Sequence, residues 1–255
     1  LLAAVQSKKL TLRFHRAIGG GVRPLFLVMA VGHIDAVLEK LGRNCGMPRG
    51  FPLVWMPGQF LYGFGFKPKF ANDAREEVYT APQGLCGLAC FKKWSGFLGH
   101  LLVFKADGRL RWAACTKNSA NGFHAMVQDC ARLFRPYINE TLLQEMHRQR
   151  LHLNAEMMSS LDQCHGAAVL REVPVVTSMG RGLYADLTVA PPRVVAPSTK
   201  AFVEFFGFRE TVGFCVAHGL PVDSAIIATG EGAAAFMQRI NSERDLMTDT
   251  RIEAI

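Results

Sequence analysis

The fold of this chain is decided by residues 91–122, which read FKKWSGFLGHLLVFKADGRLRWAACTKNSANG. Two apolar runs, residues 97–104 and 110–115, lie on either side of an Asp-Gly pair at positions 107 and 108. Asp-Gly accepts the positive φ angles that a tight two-residue turn requires. The pattern therefore predicts a β-hairpin that reverses at this pair.

The outer ends of the predicted hairpin carry Lys93 and Lys117. In an antiparallel pair the start of the first strand lies beside the end of the second, so these two cations are expected to be close. Gly96 lies between Lys93 and the first apolar run. Two lysines and a glycine at one place predict a phosphate-binding site.

Outside residues 91–122, strand and helix signals mix without a regular βαβ alternation, and hairpin signals recur. This favours an α+β fold in which helices flank antiparallel β-sheets. Residues 121–135 predict an amphipathic helix, and Asn139 predicts the cap of a second helix with Glu140 in its first turn. Residues 151–158 predict a strand that carries Glu156, whereas residues 201–208 fit a helix and a strand equally well.

Composition limits the classes of function. The 255 residues are 49% hydrophobic and carry a net charge of +8, which permits one large or two small domains and favours polyanionic partners. Seven scattered cysteines predict reduced thiols and an intracellular protein, with nucleus, cytoplasm and mitochondrion left open. No apolar run is long enough to span a bilayer, so no membrane association is expected. Because residue 1 is leucine, we expect the sequence to be part of a longer polypeptide.

Lys93 is the candidate nucleophile. A lysine amine attacks only when it is neutral, and nearby positive charge lowers its pKa. A neighbouring cationic cluster would also hold a nucleotide polyphosphate, and a carboxylate would bind a ribose hydroxyl or a metal-bound water. This combination fits nucleotidyl transfer with attack on the α-phosphate of ATP. The candidate binding residues are Arg49, Lys69, Gly96, Lys117 and Glu156; the metal ligands stay unassigned.

A rival nucleophile is Lys105, which begins the sequence Lys-Ala-Asp-Gly. We place it second because Asp107 and Gly108 are explained by the hairpin turn. If the turn were elsewhere, Lys105 would be the nucleophile.

Several short motifs occur in the order found in the RNA ligases that form a covalent lysyl-nucleotide, such as phage RNA-repair ligases and fungal tRNA ligases. Residues 93–96, Lys-Trp-Ser-Gly, resemble the nucleophile motif Lys-x-(Asp/Asn)-Gly, with Ser95 replacing the acid or amide. The other resembling segments are residues 49–54 (Arg-Gly-Phe-Pro-Leu-Val), 66–72 (Phe-Lys-Pro-Lys-Phe-Ala-Asn), 116–119 (Thr-Lys-Asn-Ser), 156–159 (Glu-Met-Met-Ser) and 175–181 (Val-Val-Thr-Ser-Met-Gly-Arg).

This resemblance implies the nucleotidyltransferase (ATP-grasp-like) domain of RNA and DNA ligases, covering residues 1–255 as a single domain. It also implies ATP and Mg²⁺ or Mn²⁺ as cofactors, RNA as the partner and substrate, and further domains of the same polypeptide. Lys93 would take AMP, pass it to an RNA 5′-phosphate, and allow an RNA 3′-hydroxyl to seal the strand in tRNA splicing or RNA repair.

The C-terminal part departs from the family. Its last two motifs are Glu-Gly-x-Val and Lys-x-Lys, but Glu231-Gly232 is followed by a helical pattern and no Lys-x-Lys follows. We therefore expect a domain truncated before these motifs. The alternatives are a catalytically silent RNA-binding or assembly subunit on the same fold, or another nucleotidyltransferase such as a DNA ligase or capping enzyme.

Overall fold

A computed structural model of the chain describes residues 11–16, 26–31, 51–66, 87–91, 94–106, 108–117, 119–161, 171–195, 203–223, 225–229 and 235. Within these residues the strands are β1 (Thr11–Arg16), β2 (Phe26–Val31), β3 (Phe51–Met56), β4 (Phe60–Gly63), β5 (Gly87–Phe91), β6 (Phe97–Ala106), β7 (Arg109–Thr116), β8 (Leu151–Met158), β9 (Val173–Asp186), β10 (Arg193–Val195), β11 (Val203–Phe205) and β12 (Ala225–Thr229). The helices are α1 (Ala125–Phe134), α2 (Glu140–Gln149) and α3 (Phe208–Ala217), with a 3₁₀ turn at Arg135–Tyr137.

The chain divides into two compact units. Unit 1 comprises Leu1–Pro68 and Ser95–Val222, and unit 2 comprises Lys69–Trp94 and Asp223–Ile255. Unit 1 contains a ten-stranded sheet, and unit 2 contains the antiparallel pair β5 and β12. That residues 1–255 form one nucleotidyltransferase domain stays a prediction.

The predicted hairpin is confirmed. Strands β6 and β7 pair antiparallel from Gly99 with Thr116 to Ala106 with Arg109, which leaves a two-residue turn at positions 107 and 108. Gly108 has a φ of +73°, the conformation for which glycine is favoured. The turn is therefore where the sequence placed it, and Lys105 lies on the strand just before it.

The sheet of unit 1 is curled and antiparallel, with β1-β2-β3-β4-β9-β8-β6-β7 as neighbours; β10 and β11 pair with β9. Together with the three helices it confirms the α+β class with antiparallel sheet. None of the helices in the described part of the chain has the length and apolar character needed to cross a membrane.

Side chains alternate between the two faces of the strands, and the hydrophobic ones form two separate buried clusters. The helices cover the face that bears Phe97, Leu101 and Leu153, where Leu133 and Met146 pack against the sheet. A second cluster, built around Phe60, Phe64 and Leu102, is separate from the first. Successive residues of a strand point to opposite faces, so Leu101 and Leu102 belong to different clusters. The even-numbered residues of β6 and β8 thus define one face, called here the inner face.

Helix α2 follows the prediction closely. The Asn139 side chain accepts a hydrogen bond from Leu142 N at 2.9 Å, which satisfies a backbone donor of the first turn. Helix α1 begins at Ala125, four residues later than the predicted start. Asn121 accepts a hydrogen bond from Phe123 N at 3.1 Å on its side chain and from His124 N at 2.8 Å on its backbone. This local turn competes with helix formation, which explains why α1 begins later than predicted.

The region after β9 is less well predicted. Residues 201–208 fit a helix and a strand equally, and the structure uses both, with β11 at Val203–Phe205 and α3 starting at Phe208. Gly207 separates them, and its backbone N–H donates to the Glu210 side chain at 2.9 Å. The prolines at positions 191, 192 and 197 predict a loop, and the short strand β10 lies between them. The sequence also predicts a strand at residues 167–170, which lies outside the described residues, and a helix at residues 233–240, of which only Ala235 is described, as helical.

Candidate functional site

Gly96 and Glu156 are in direct contact on the inner face. Gly96 N donates a hydrogen bond to Glu156 Oε1 at 3.0 Å, although 60 residues separate them in the sequence. A Cβ atom at position 96 would lie 2.4 Å from the Met157 carbonyl oxygen, so only glycine fits without a shift of β8. The glycine of the Lys-Trp-Ser-Gly motif is therefore required by the neighbouring strand, a reason that the sequence did not reveal.

Lys117 lies at the same end of the sheet. Its backbone N donates to Leu98 O at 3.3 Å, one residue beyond the last strand residue of β7. Leu98 is also the register partner of Glu156 on β8. Lys117 and Glu156 thus flank Leu98 from the two neighbouring strands, about 10 Å apart at their Cα positions, or two strand spacings. Both side chains are partly buried.

A closed turn presents Lys117. Thr116 N donates to Ser119 O at 2.8 Å, and Ser119 N donates to the Thr116 hydroxyl at 3.1 Å. Thr116 and Ser119, the first and last residues of the Thr-Lys-Asn-Ser segment, are therefore hydrogen-bonded to each other. This gives the two hydroxyl residues a structural role and holds the backbone of Lys117 at the end of β7.

A buried polar row continues from Glu156 along the inner face. His100 Nδ1 lies 2.5 Å from Asn154 Oδ1, and Asn154 Nδ2 donates to Ser178 Oγ at 2.9 Å. His152 Nε2 donates to Gly65 O at 2.9 Å. Burial lowers the pKa of both histidines, that of His152 to about 4, so both are neutral near pH 7. The row links β6, β8, β9 and Gly65, which follows β4, through hydrogen bonds between neutral groups, and it lies beside Glu156.

Sequence reasoning missed this row. The signal was present, because His152, Asn154 and Glu156 alternate with apolar residues in a strand of period two. Only Glu156 was selected, because its carboxylate was the group sought for the proposed chemistry. His100 follows the same alternation on β6.

Unit 2 holds the residue that follows the predicted nucleophile. Trp94 Nε1 donates to Asp223 Oδ1 at 2.9 Å, and Asp223 is 7% exposed. A buried carboxylate that accepts an indole N–H fixes the tryptophan ring and, with it, the backbone next to position 93. Asp223 was not singled out from the sequence.

Three of the six predicted site residues are described, and the structure brings all three to one end of the inner face: Gly96, Lys117 and Glu156. Lys93, Lys69 and Arg49 lie outside the described residues, as do the positions named for the last two family motifs. Their placement stays a prediction.

Metal binding depends on how many carboxylate ligands the site provides. Within the described residues, no group of three or more His, Cys, Asp or Glu side chains could hold a metal ion. Glu156 is the one acidic residue among the predicted site residues, and one of its oxygens already accepts from Gly96 N. Its remaining acceptor capacity suits a ribose hydroxyl or a metal-bound water, not a complete metal shell.

Comparison with known proteins gives no independent assignment. No protein-family model matches the chain, and no curated protein matches it. The function is therefore argued from the residues and their geometry.

Proposed function

We propose that this chain is the adenylyltransferase domain of an ATP-dependent RNA ligase with the nucleotidyltransferase fold of RNA and DNA ligases. One observation carries the proposal. Gly96, Lys117 and Glu156 come from three separate motifs, and they converge on one end of strands β6, β7 and β8. A glycine, a cation and a carboxylate at one place fit the binding of a nucleotide beside a reactive lysine.

In the proposed reaction, the neutral amine of Lys93 attacks the α-phosphorus of ATP. A P–N bond forms, the bond to the β-phosphate oxygen breaks, and pyrophosphate leaves with its electron pair while the amine loses a proton. Mg²⁺ would neutralise charge on the phosphates. Lys117, together with Lys69 and Arg49, would hold phosphate oxygens and favour the neutral form of Lys93.

Glu156 would orient the nucleotide through a ribose hydroxyl or a metal-bound water. Its carboxylate, which accepts a hydrogen bond from Gly96 N, would face the nucleotide. The AMP would then pass to an RNA 5′-phosphate, and an RNA 3′-hydroxyl would displace it. The net charge of +8 favours a polyanionic substrate.

Label transfer tests the proposal. The chain, in the longest form available, is incubated with ATP labelled at the α-phosphate and Mg²⁺, and label retained on the denatured protein is counted. We expect label on the wild type and on Lys105→Ala, and none on Lys93→Ala. Glu156→Gln keeps an acceptor for Gly96 N but loses the charge, so we expect a folded protein with label reduced at least about tenfold, equivalent to 1.4 kcal/mol.

The other outcomes select the alternatives. No label on any protein would reject the enzyme and favour a silent RNA-binding subunit on the same fold. Loss of label in Lys105→Ala alone would move the nucleophile to the hairpin. Label from GTP in preference to ATP would favour a capping enzyme.

A further inference from the structure

A second cationic site lies at the other end of strand β6, beside the hairpin turn. A cavity of about 230 Å³ opens there between β4, β6, β9 and the end of α2, all within unit 1. Its walls include Phe60, Tyr62, Phe104, Tyr184 and His147, and its cations are Lys105, Arg148 and Arg150. Leu98 and Lys105 are seven positions apart on β6, or about 23 Å along an extended strand.

Arg150 occupies a backbone conformation that favours glycine. Its φ is +56°, in the left-handed region, directly after the last residue of α2. A side chain in this conformation is disfavoured relative to glycine. The Arg150 guanidinium lies 4.8 Å from the centre of the Tyr184 ring. Such strain points to a functional side chain.

The charge of Arg150 is not needed to stabilise the end of α2. Backbone Arg150 N donates to the carbonyls of Met146 and His147. Arg181 Nε donates to Gln149 O at 3.2 Å, and Tyr62 Oη donates to Arg150 O at 2.8 Å. The last carbonyls of the helix are therefore satisfied by internal donors.

Two of the cations also have no carboxylate partner among the residues that the structure describes. Arg148 forms an ion pair with Glu145 at 2.6 Å, so its charge is matched. Within the described part of the chain, neither Lys105 nor Arg150 takes part in an ion pair. Their charges already act on a neighbour: the pKa of His147 is lowered first by burial and then by Lys105 and Arg150. The cavity is thus a positively charged, aromatic-walled site.

We infer that Lys105 and Arg150 bind the phosphate backbone of an RNA strand, at a site about 23 Å along the sheet from Glu156. The inference rests on the proposed function in that it takes RNA as the partner. A polyanion with regularly spaced charges would contact both cationic ends of the sheet. The Arg150 guanidinium, held over Tyr184, presents its N–H edge for a two-point contact with phosphate.

The test measures how the affinity for RNA depends on salt concentration, because the slope of this dependence reports the number of phosphate contacts. Binding of a labelled single-stranded RNA of twelve nucleotides is measured at several salt concentrations, without ATP. For the double variant Lys105→Gln/Arg150→Gly we expect affinity at least about tenfold weaker at 0.1 M salt, as for the loss of charge-assisted hydrogen bonds. The slope of log K against log salt should fall by about 1.4, or 0.7 for each lost contact.

Arg150→Gly suits the left-handed backbone, so the variant is expected to stay folded; a thermal melt verifies this. The matched control is Arg209→Gln, which removes one exposed charge from α3 and does not line the cavity. We expect it to retain the wild-type slope. Equal slopes for the double variant and Arg209→Gln would overturn the inference, as would binding of an acidic peptide in place of RNA.

The failures of the two proposals are distinguishable. A wild-type chain that takes no label from ATP but loses RNA affinity with Lys105 and Arg150 would reject the ligase and support this site. A chain that takes label normally but shows an unchanged salt slope in the double variant would support the ligase and reject this site.

Discussion

At the scale of single residues, Gly96 is tightly restricted by its neighbours. Its backbone N–H is bonded to Glu156, and a Cβ would lie 2.4 Å from a backbone oxygen of β8. In Gly96→Ala, either β6 or β8 must move. We expect a loss of about 1–3 kcal/mol in the free energy of unfolding, the usual cost of overpacking. Urea denaturation followed by circular dichroism measures it.

The matched control is Gly213→Ala. Gly213 lies within α3, and a Cβ there would meet no atom within 4 Å. Alanine is the better helix former, so this variant should gain about 0.5–1 kcal/mol. If the two alanine variants changed stability alike, the contact between Gly96 and β8 would not be what restricts position 96.

The residues of the site were predictable only in part. Residue types and motif order singled out Gly96, Lys117 and Glu156, and strand register brings them together. The constraint that Met157 places on Gly96 has no local sequence signal, because the contact joins residues far apart in the chain. Asp223, which fixes Trp94, was missed for the same reason.

At the scale of elements, helix α2 depends on a side-chain cap. Asn139 Oδ1 accepts from Leu142 N at 2.9 Å, and the helix buries Leu142 and Met146. In Asn139→Ala this donor loses its partner, so we expect a loss of about 1 kcal/mol in the free energy of unfolding. Thermal unfolding by calorimetry measures it. Gln144→Ala, an exposed position in the same helix, should change stability by less than about 0.5 kcal/mol; a comparable loss there would contradict the capping argument.

Elements with strong local signals were predicted, and those set by tertiary contacts were not. The β6–β7 hairpin has its Asp-Gly turn and α2 has its Asn cap, and both signals are contained in a few residues. Strands β10 and β11 have three residues each and form by pairing with β9. A three-residue strand that forms by pairing with a longer one leaves little pattern of its own.

At the scale of the whole molecule, the buried histidines couple stability to pH. His100 and His152 are both fully buried on the inner face, and burial lowers the pKa of each, that of His152 from 6.5 to about 4. The unfolded chain therefore binds protons that the native chain does not. Their contribution to stability is complete above about pH 6.5 and is lost as the pH falls toward 4.

We accordingly expect the free energy of unfolding to fall between pH 6 and pH 5, by about 1.2 kcal/mol through His152 and further through His100. Urea unfolding at pH 5.0, 5.5, 6.0 and 7.5 gives the slope. His152→Gln should reduce this slope by the contribution of one histidine, whatever the effect of the substitution on stability at pH 7.5. His124→Gln, an exposed position before α1, should retain the wild-type slope. The half-buried His147, whose pKa is also lowered, contributes equally to all three proteins. If wild type and His152→Gln had the same slope, His152 would not be held neutral by burial, and the polar row would be open to water.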